Sequence, residues 1–154
     1  MAVGVDIAHA GRVKKSKDNR PLRVLLAEDS LPVRERIRSM IEEAGPVKII
    51  GEAGTAADVL AILREQKPDA VVLALQLADG ASRSIFSELK QHHPDCTVIV
   101  LSAFASPEFR TRCRELGADH FFEKSTEFER VPEVLASLRR AKGLSTPASD
   151  HPPS

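Results

Sequence analysis

An α/β fold, a doubly wound five-stranded parallel sheet with helices on both faces, is what this 154-residue sequence predicts. Three observations predict it. Five apolar runs rich in β-branched residues alternate with five helical patterns. Successive runs lie roughly 20 to 30 residues apart, which leaves room for helical crossovers and is too far for hairpins. The third run, Ala70–Leu75, is apolar throughout, as a strand buried on both faces must be. Five-stranded sheets of this class commonly take the order 2-1-3-4-5, although periodicity by itself leaves the order open.

Each element has its own signal. Leu22–Ala27 reads as the first strand. Ser30 is placed to cap the following helix, Pro32 fits its first turn, and Val33, Ile37, Met40, Ile41 and Ala44 share one face until Gly45-Pro46 stops it. Val47–Gly51 is the second strand. Thr55 then caps a helix lined by Val59, Leu60, Ile62 and Leu63, which Lys67-Pro68 breaks ahead of the central strand. Ile85, Phe86 and Leu89 make the third helix amphipathic; it ends near His92–Pro94, where a dipole contact accounts for His92 and His93. Thr97–Leu101 is an unbroken row of β-formers. Ser106-Pro107 opens a fourth helix through Phe109, Cys113 and Leu116, with Gly117 as its C-terminal cap. Cys113 reads as core and His120 as a surface residue. His120–Glu123 is a brief fifth strand, and Val131, Val134, Leu135 and Leu138 line a last helix with Pro132 near its first turn.

Composition narrows the function classes. Hydrophobic residues at 42% and charged residues at 29% suit a soluble domain with a real core. The formal net charge is zero, so the overall balance points to neither nucleic acid nor a membrane. Cys96 and Cys113 lack metal-type spacing and make no disulfide framework, which fits a reducing compartment. No run is long enough to span a bilayer and no signal-peptide start is seen, so the expectation is a cytoplasmic domain. Residues 1–20, with Arg12, Lys14, Lys15, Lys17 and Arg20, read as a flexible basic arm or, alternatively, as an electrostatic contact with a partner or with nucleic acid. Residues 21–142 make the domain, and residues 143–154, including STPASDHPPS, read as a disordered tail.

The polar residues that matter stand at the carboxyl ends of strands, where open α/β sheets place their ligands. Glu28 and Asp29 follow the first strand, Ser102-Ala103 the fourth and Lys124 the fifth. Such a set suits a phosphoryl group: Asp29 can hold a hard divalent cation, while Ser102 and Lys124 can meet phosphate oxygens. After the third strand stands Ala74, followed by Leu75 and Gln76.

VLLAEDS, PDAVVLALQLADG, VIVLSA and GADHFFEKS, in that order and spacing, closely resemble the receiver domain of bacterial two-component response regulators, from about Leu22 to Ala141. The resemblance implies the flavodoxin-like 2-1-3-4-5 sheet. It implies that Glu28 and Asp29 are the acidic pair that helps bind Mg²⁺, with the Gln76 backbone carbonyl as a further ligand. It makes Ser102 the switch hydroxyl, Phe121 the switch aromatic and Lys124 the lysine that contacts phosphoryl oxygens. Receivers take a phosphoryl group onto an aspartate from a histidine kinase or phosphotransfer protein, then present an altered surface of the fourth helix, fifth strand and fifth helix to a target or to a second copy.

Ala74 stands where that family carries its phospho-accepting aspartate. A methyl group cannot attack phosphohistidine, hold an acyl phosphate or ligate Mg²⁺, so metal binding is expected to be weak or absent. Ala78 and Ser125 also depart from the pattern, at positions where proline is common. The sequence leaves two origins for Ala74 open, a natural degenerate receiver or an aspartate-to-alanine substitution in an ordinary one. Asp79 is the alternative acceptor, with Ser82 nearby; Asp79 is equally the Asp-Gly of a turn. Other classes fit poorly. A haloacid-dehalogenase enzyme needs two alternating aspartates after its first strand, and a flavodoxin needs a phosphate-cradling loop where this chain has acids. Catalysis is therefore not expected. No helix-turn-helix pattern follows Ala141, so output is expected through protein contacts of this domain, either as a receiver disabled at its acceptor or as a constitutive interaction module.

Overall fold

The computed structural model describes residues 20–75 and 81–144, with the side chains of residues 81 and 82 excepted. Five strands alternate with five helices: β1 (Leu22–Ala27), α1 (Leu31–Glu42), β2 (Val47–Ala53), α2 (Ala56–Glu65), β3 (Ala70–Leu73), α3 (Ala81–His92), β4 (Thr97–Ser102), α4 (Pro107–Leu116), β5 (His120–Glu123) and α5 (Arg130–Ala141). All strand pairs are parallel, and the sheet order is β2-β1-β3-β4-β5. The predicted class and the 2-1-3-4-5 order are both observed.

The period-2 alternation of each strand sorts its side chains into two cores. Leu25, Val71, Leu73, Val98 and Val100 pack with Val59 and Leu63 of α2, Ile85, Phe86 and Leu89 of α3, and Cys113 of α4. Leu22, Val24, Leu26, Val72, Ile99 and Leu101 face the other way, against Ile37 and Ile41 of α1 and Val131 and Leu135 of α5. The apolar run of β3 is needed because its residues are split between both cores; Ala70 to Leu73 are all 0% exposed.

Strand ends differ from the sequence reading. β2 runs past Gly51 to Ala53, because Leu26 pairs with Glu52 and Ala27 with Ala53 after a register shift between Val24 and Leu25. Glu52 is tolerated there since Arg34, at 3.3 Å, and Arg38 both pair with its carboxylate. β3 stops at Leu73, where β1 runs out of partners, and the Ala74 N–H closes the ladder on the Ala27 carbonyl at 2.7 Å. Ala74 and Leu75 remain buried.

At the end of the described residues, Leu144 is 4% exposed within the α1/α5 core and its N–H donates to the Arg139 carbonyl at 2.9 Å. Arg20 pairs with Asp69 at 3.0 Å. The rest of the basic arm and of the tail lies outside the described residues. His93 is 7% exposed, and burial pulls its imidazole below the ordinary histidine range. His120 is half-buried and stacks on Phe122, with ring centroids 6.0 Å apart.

Candidate functional site

Four strand ends carry the candidate residues to the carboxyl edge of the sheet. β1 delivers Glu28, whose N–H donates to the Ala53 carbonyl at 2.9 Å and whose side chain turns inward to 1% exposure. Asp29, one residue on, is exposed. β3 delivers Ala74 at 2% exposure and β4 delivers Ser102 at 7%. Past β5, the Lys124 N–H donates to the Ser102 carbonyl at 2.8 Å, which fixes the base of the lysine side chain.

Lys124 joins the set together. Its Nζ lies 2.6 Å from Glu28 Oε1 and donates to the Ala74 carbonyl at 3.0 Å. Glu28 Oε2 accepts the Ser30 N–H at 3.0 Å, which turns the β1–α1 connection around the carboxylate. That bond also explains why Ser30, although at the N-cap position of α1, makes no side-chain cap: the turn is held by Glu28 instead. The Ser102 hydroxyl oxygen accepts the Phe104 N–H at 3.0 Å, and Ala103 is exposed beside it.

Phe121 is elsewhere. Its ring is half-buried on the α4 side of β5, edge-on to Phe109 at 5.8 Å and covered by the Arg110 guanidinium at 4.8 Å. Gln76, Ala78 and Asp79 lie outside the described residues, as does the side chain of Ser82. Two arginines were not singled out by the sequence reading. Arg34 donates to the Glu28 carbonyl at 3.2 Å while pairing with Glu52, and Arg110 also donates to Glu127 at 3.3 Å and to the Ala105 carbonyl at 3.3 Å. Both lie on polar helix faces, and their reach is set by side-chain length, which spacing in the chain does not encode.

The arrangement is a buried carboxylate neutralised by an ammonium beside a methyl group. Among the described residues no cluster of three or more His, Cys, Asp or Glu side chains is spaced to hold a metal ion. No described helix is long and apolar enough to cross a membrane.

Residues 24–136 match the response regulator receiver domain family. The uncharacterized transcriptional regulatory protein YhcZ of Bacillus subtilis is 28% identical over 134 residues, covering 84% of this chain and 61% of that protein. The probable transcriptional regulatory protein TcrX of Mycobacterium tuberculosis is 29% identical over 129 residues, 84% of this chain and 54% of that one. The chain thus spans between about half and three fifths of these relatives. Among solved structures, the receiver domain of NarL from Mycobacterium tuberculosis superposes with a TM-score of 0.67 at 24% identity, covering 78% of this chain and 98% of that one. The isolated receiver domain of RcsB from Salmonella enterica, solved with the phosphomimetic BeF₃⁻, gives 0.69 at 22% identity, covering 84% and 96%. At these identities the superpositions speak for the fold alone. The family match runs from β1 into α5 and takes in every strand, and the chain belongs to the response regulator receiver domain family.

Proposed function

We propose that this chain is a receiver of a two-component phosphorelay whose acceptor position is Ala74, so that it is not phosphorylated in the usual way and acts through protein contacts. The observation that carries this reading is the position of Lys124: its ammonium reaches the backbone of Ala74 at 3.0 Å and the acid of β1 at 2.6 Å. The backbone of residue 74 therefore lies beside the same ammonium as the acid of β1, and the side chain carried there is a methyl group. In this reading the partners are a histidine kinase or phosphotransfer protein and a downstream target, and α4, β5 and α5 are the surface on offer, also for a second copy. Ser102, Ala103, Phe121 and Lys124 are the phosphoryl-contact and switch positions.

The donor set does not suit a resident Mg²⁺. Such an ion would draw on Glu28 and Asp29, with the Gln76 carbonyl from outside the described residues. Glu28 is buried with both oxygens engaged, and Ala74 offers no side-chain oxygen. Among the described residues at these strand ends only the Asp29 carboxylate is exposed, and Mg²⁺ is reluctant to shed water for so few ligands.

The test is intact-mass analysis after incubation with a small acyl-phosphate donor and Mg²⁺, on this chain and on Ala74→Asp. The expected outcome is a phosphoryl mass on Ala74→Asp alone. If neither protein gains it, the reading as a receiver silenced at one residue fails, and a constitutive interaction module stands in its place. A gain by the chain as it is would name another acceptor, with Asp79→Asn the first variant to make.

A further inference from the structure

The carboxyl end of the sheet already contains a cation. Glu28 is 1% exposed; its Oε2 accepts the Ser30 N–H at 3.0 Å, and its Oε1, buried without a hydrogen bond, has Lys124 Nζ as its counter-charge at 2.6 Å. The same ammonium donates to the Ala74 carbonyl at 3.0 Å. Its backbone is tied at 2.8 Å to Ser102, so it is delivered to the crevice by β5 and is not a loosely held surface lysine. We propose that the Lys124 ammonium is the resident cation of this crevice, neutralising Glu28 where a divalent ion would have to bind and fixing the strand ends in one arrangement independent of Mg²⁺. This inference rests on the reading of the chain as a receiver with Ala74 at the acceptor position.

Lys124 and a divalent ion would compete for one carboxylate. A buried carboxylate needs a close counter-charge, and stripping it of one is strongly unfavourable. Lys124 supplies that charge from within the chain, so nothing has to be recruited from solvent. For Mg²⁺ to take Glu28 it must come beside the ammonium on Oε1, where like-charge repulsion works to displace the lysine. The displaced lysine then has the Ala74 carbonyl and a methyl group beside it. An aspartate at position 74 would offer the lysine a second carboxylate and lower the cost of moving; alanine offers none. The methyl group and the ion pair therefore act in the same direction. Asp29 is exposed and open to a hydrated ion, but one carboxylate without Glu28 makes a weak site.

The probe is Mg²⁺ alone, titrated into the intact chain to about 10 mM while melting temperature is followed. The chain is expected to respond no more than it does to potassium chloride of equal ionic strength. Lys124→Met leaves Glu28 without its counter-charge; it is expected to melt lower without the ion, to recover on adding Mg²⁺, and to bind it at least roughly tenfold more tightly than the chain does. Adding Glu28→Gln to Lys124→Met is expected to abolish the recovery. Equal Mg²⁺ affinity for the chain and Lys124→Met overturns the proposal. Should Lys124→Met fail to fold, the ¹⁵Nζ resonance of Lys124 in the intact chain decides: a hydrogen-bonded ammonium signal unmoved by Mg²⁺ supports the proposal, and its displacement by the ion overturns it. Phosphorylation of Ala74→Asp keeps the two readings apart. A phosphoryl mass on that variant with no gain of Mg²⁺ binding by Lys124→Met sinks the resident cation and spares the receiver.

Discussion

Single residues carry the chemistry of this protein through what they exclude as much as through what they offer. Ala74 is buried at the end of β3, and Lys124 settles on its carbonyl and on Glu28. His93 shows the same logic away from the crevice. Burial, followed by the nearby Lys67, depresses its pKa against the opposing pull of a Leu63 backbone hydrogen bond and Glu88, whose carboxylate lies 4.0 Å from Nε2. A histidine whose folded pKa is depressed adds stability above its unfolded value of 6.5, which is lost as pH falls toward the lower folded value. Urea denaturation of the chain across pH 5 to 8 is therefore expected to show stability declining below 6.5. In His93→Gln that portion of the decline should disappear; an unchanged profile would assign it to another group. Asp69 adds a second acid-sensitive step further down. Burial pushes its pKa up, but Arg20, the Arg23 N–H and Lys142 together hold it below 3.8, so its contribution is lost only under that pH.

At the scale of elements, α4 and β5 meet at the Phe121 ring. Arg110 of α4 lies over the Phe121 ring at 4.8 Å, and its guanidinium is anchored by Glu127 and the Ala105 carbonyl. Phe109 meets the same ring edge-on, so Phe121 is held on two sides by adjacent residues of one helix. Arg110→Ala removes the cation over the ring and the tie to Glu127 together, a loss of about 1–2 kcal/mol. Chemical denaturation should show that loss, and relaxation-dispersion NMR should show added exchange at Phe121. A rigid Phe121 in the variant would mean that Phe109 alone fixes the ring. Helix starts follow local chemistry: Thr55 and Ser106 accept the N–H groups of Asp58 and Phe109 at 3.1 and 3.2 Å, as their capping positions predict.

At the scale of the whole molecule, two cores on opposite faces of one sheet are closed at the amino end of the strands. Arg139 of α5 is 2% exposed and donates to the Pro46 carbonyl at 2.8 Å, tying the last helix to the connection between α1 and β2. Leu144 folds back into the same core. Arg139→Ala loses a charged hydrogen bond and a buried stem, and is expected to cost about 2–3 kcal/mol in equilibrium unfolding. A loss under about 0.5 kcal/mol, as at an ordinary surface site, would show that the tie adds nothing.

The sequence by itself determined the class of fold, the number and order of elements, and the residues that stand at the strand ends. It could do so because burial on both faces demands continuous apolar runs, and because caps and Gly-Pro or Lys-Pro breaks act within a few residues of themselves. Of the candidate site, the legible part was placement: Glu28, Asp29, Ala74, Ser102 and Lys124 stand at or just past strand ends whatever their side chains do. Tertiary structure alone decided which of them touch. Glu28 is buried against Lys124, distant in sequence, while adjacent Asp29 is exposed; the extra residues of β2 depend on pairing with β1; and Leu144 joins the core across the fold. Each of these is set by long-range packing and charge pairing, whose energies depend on distance in space and not on separation along the chain.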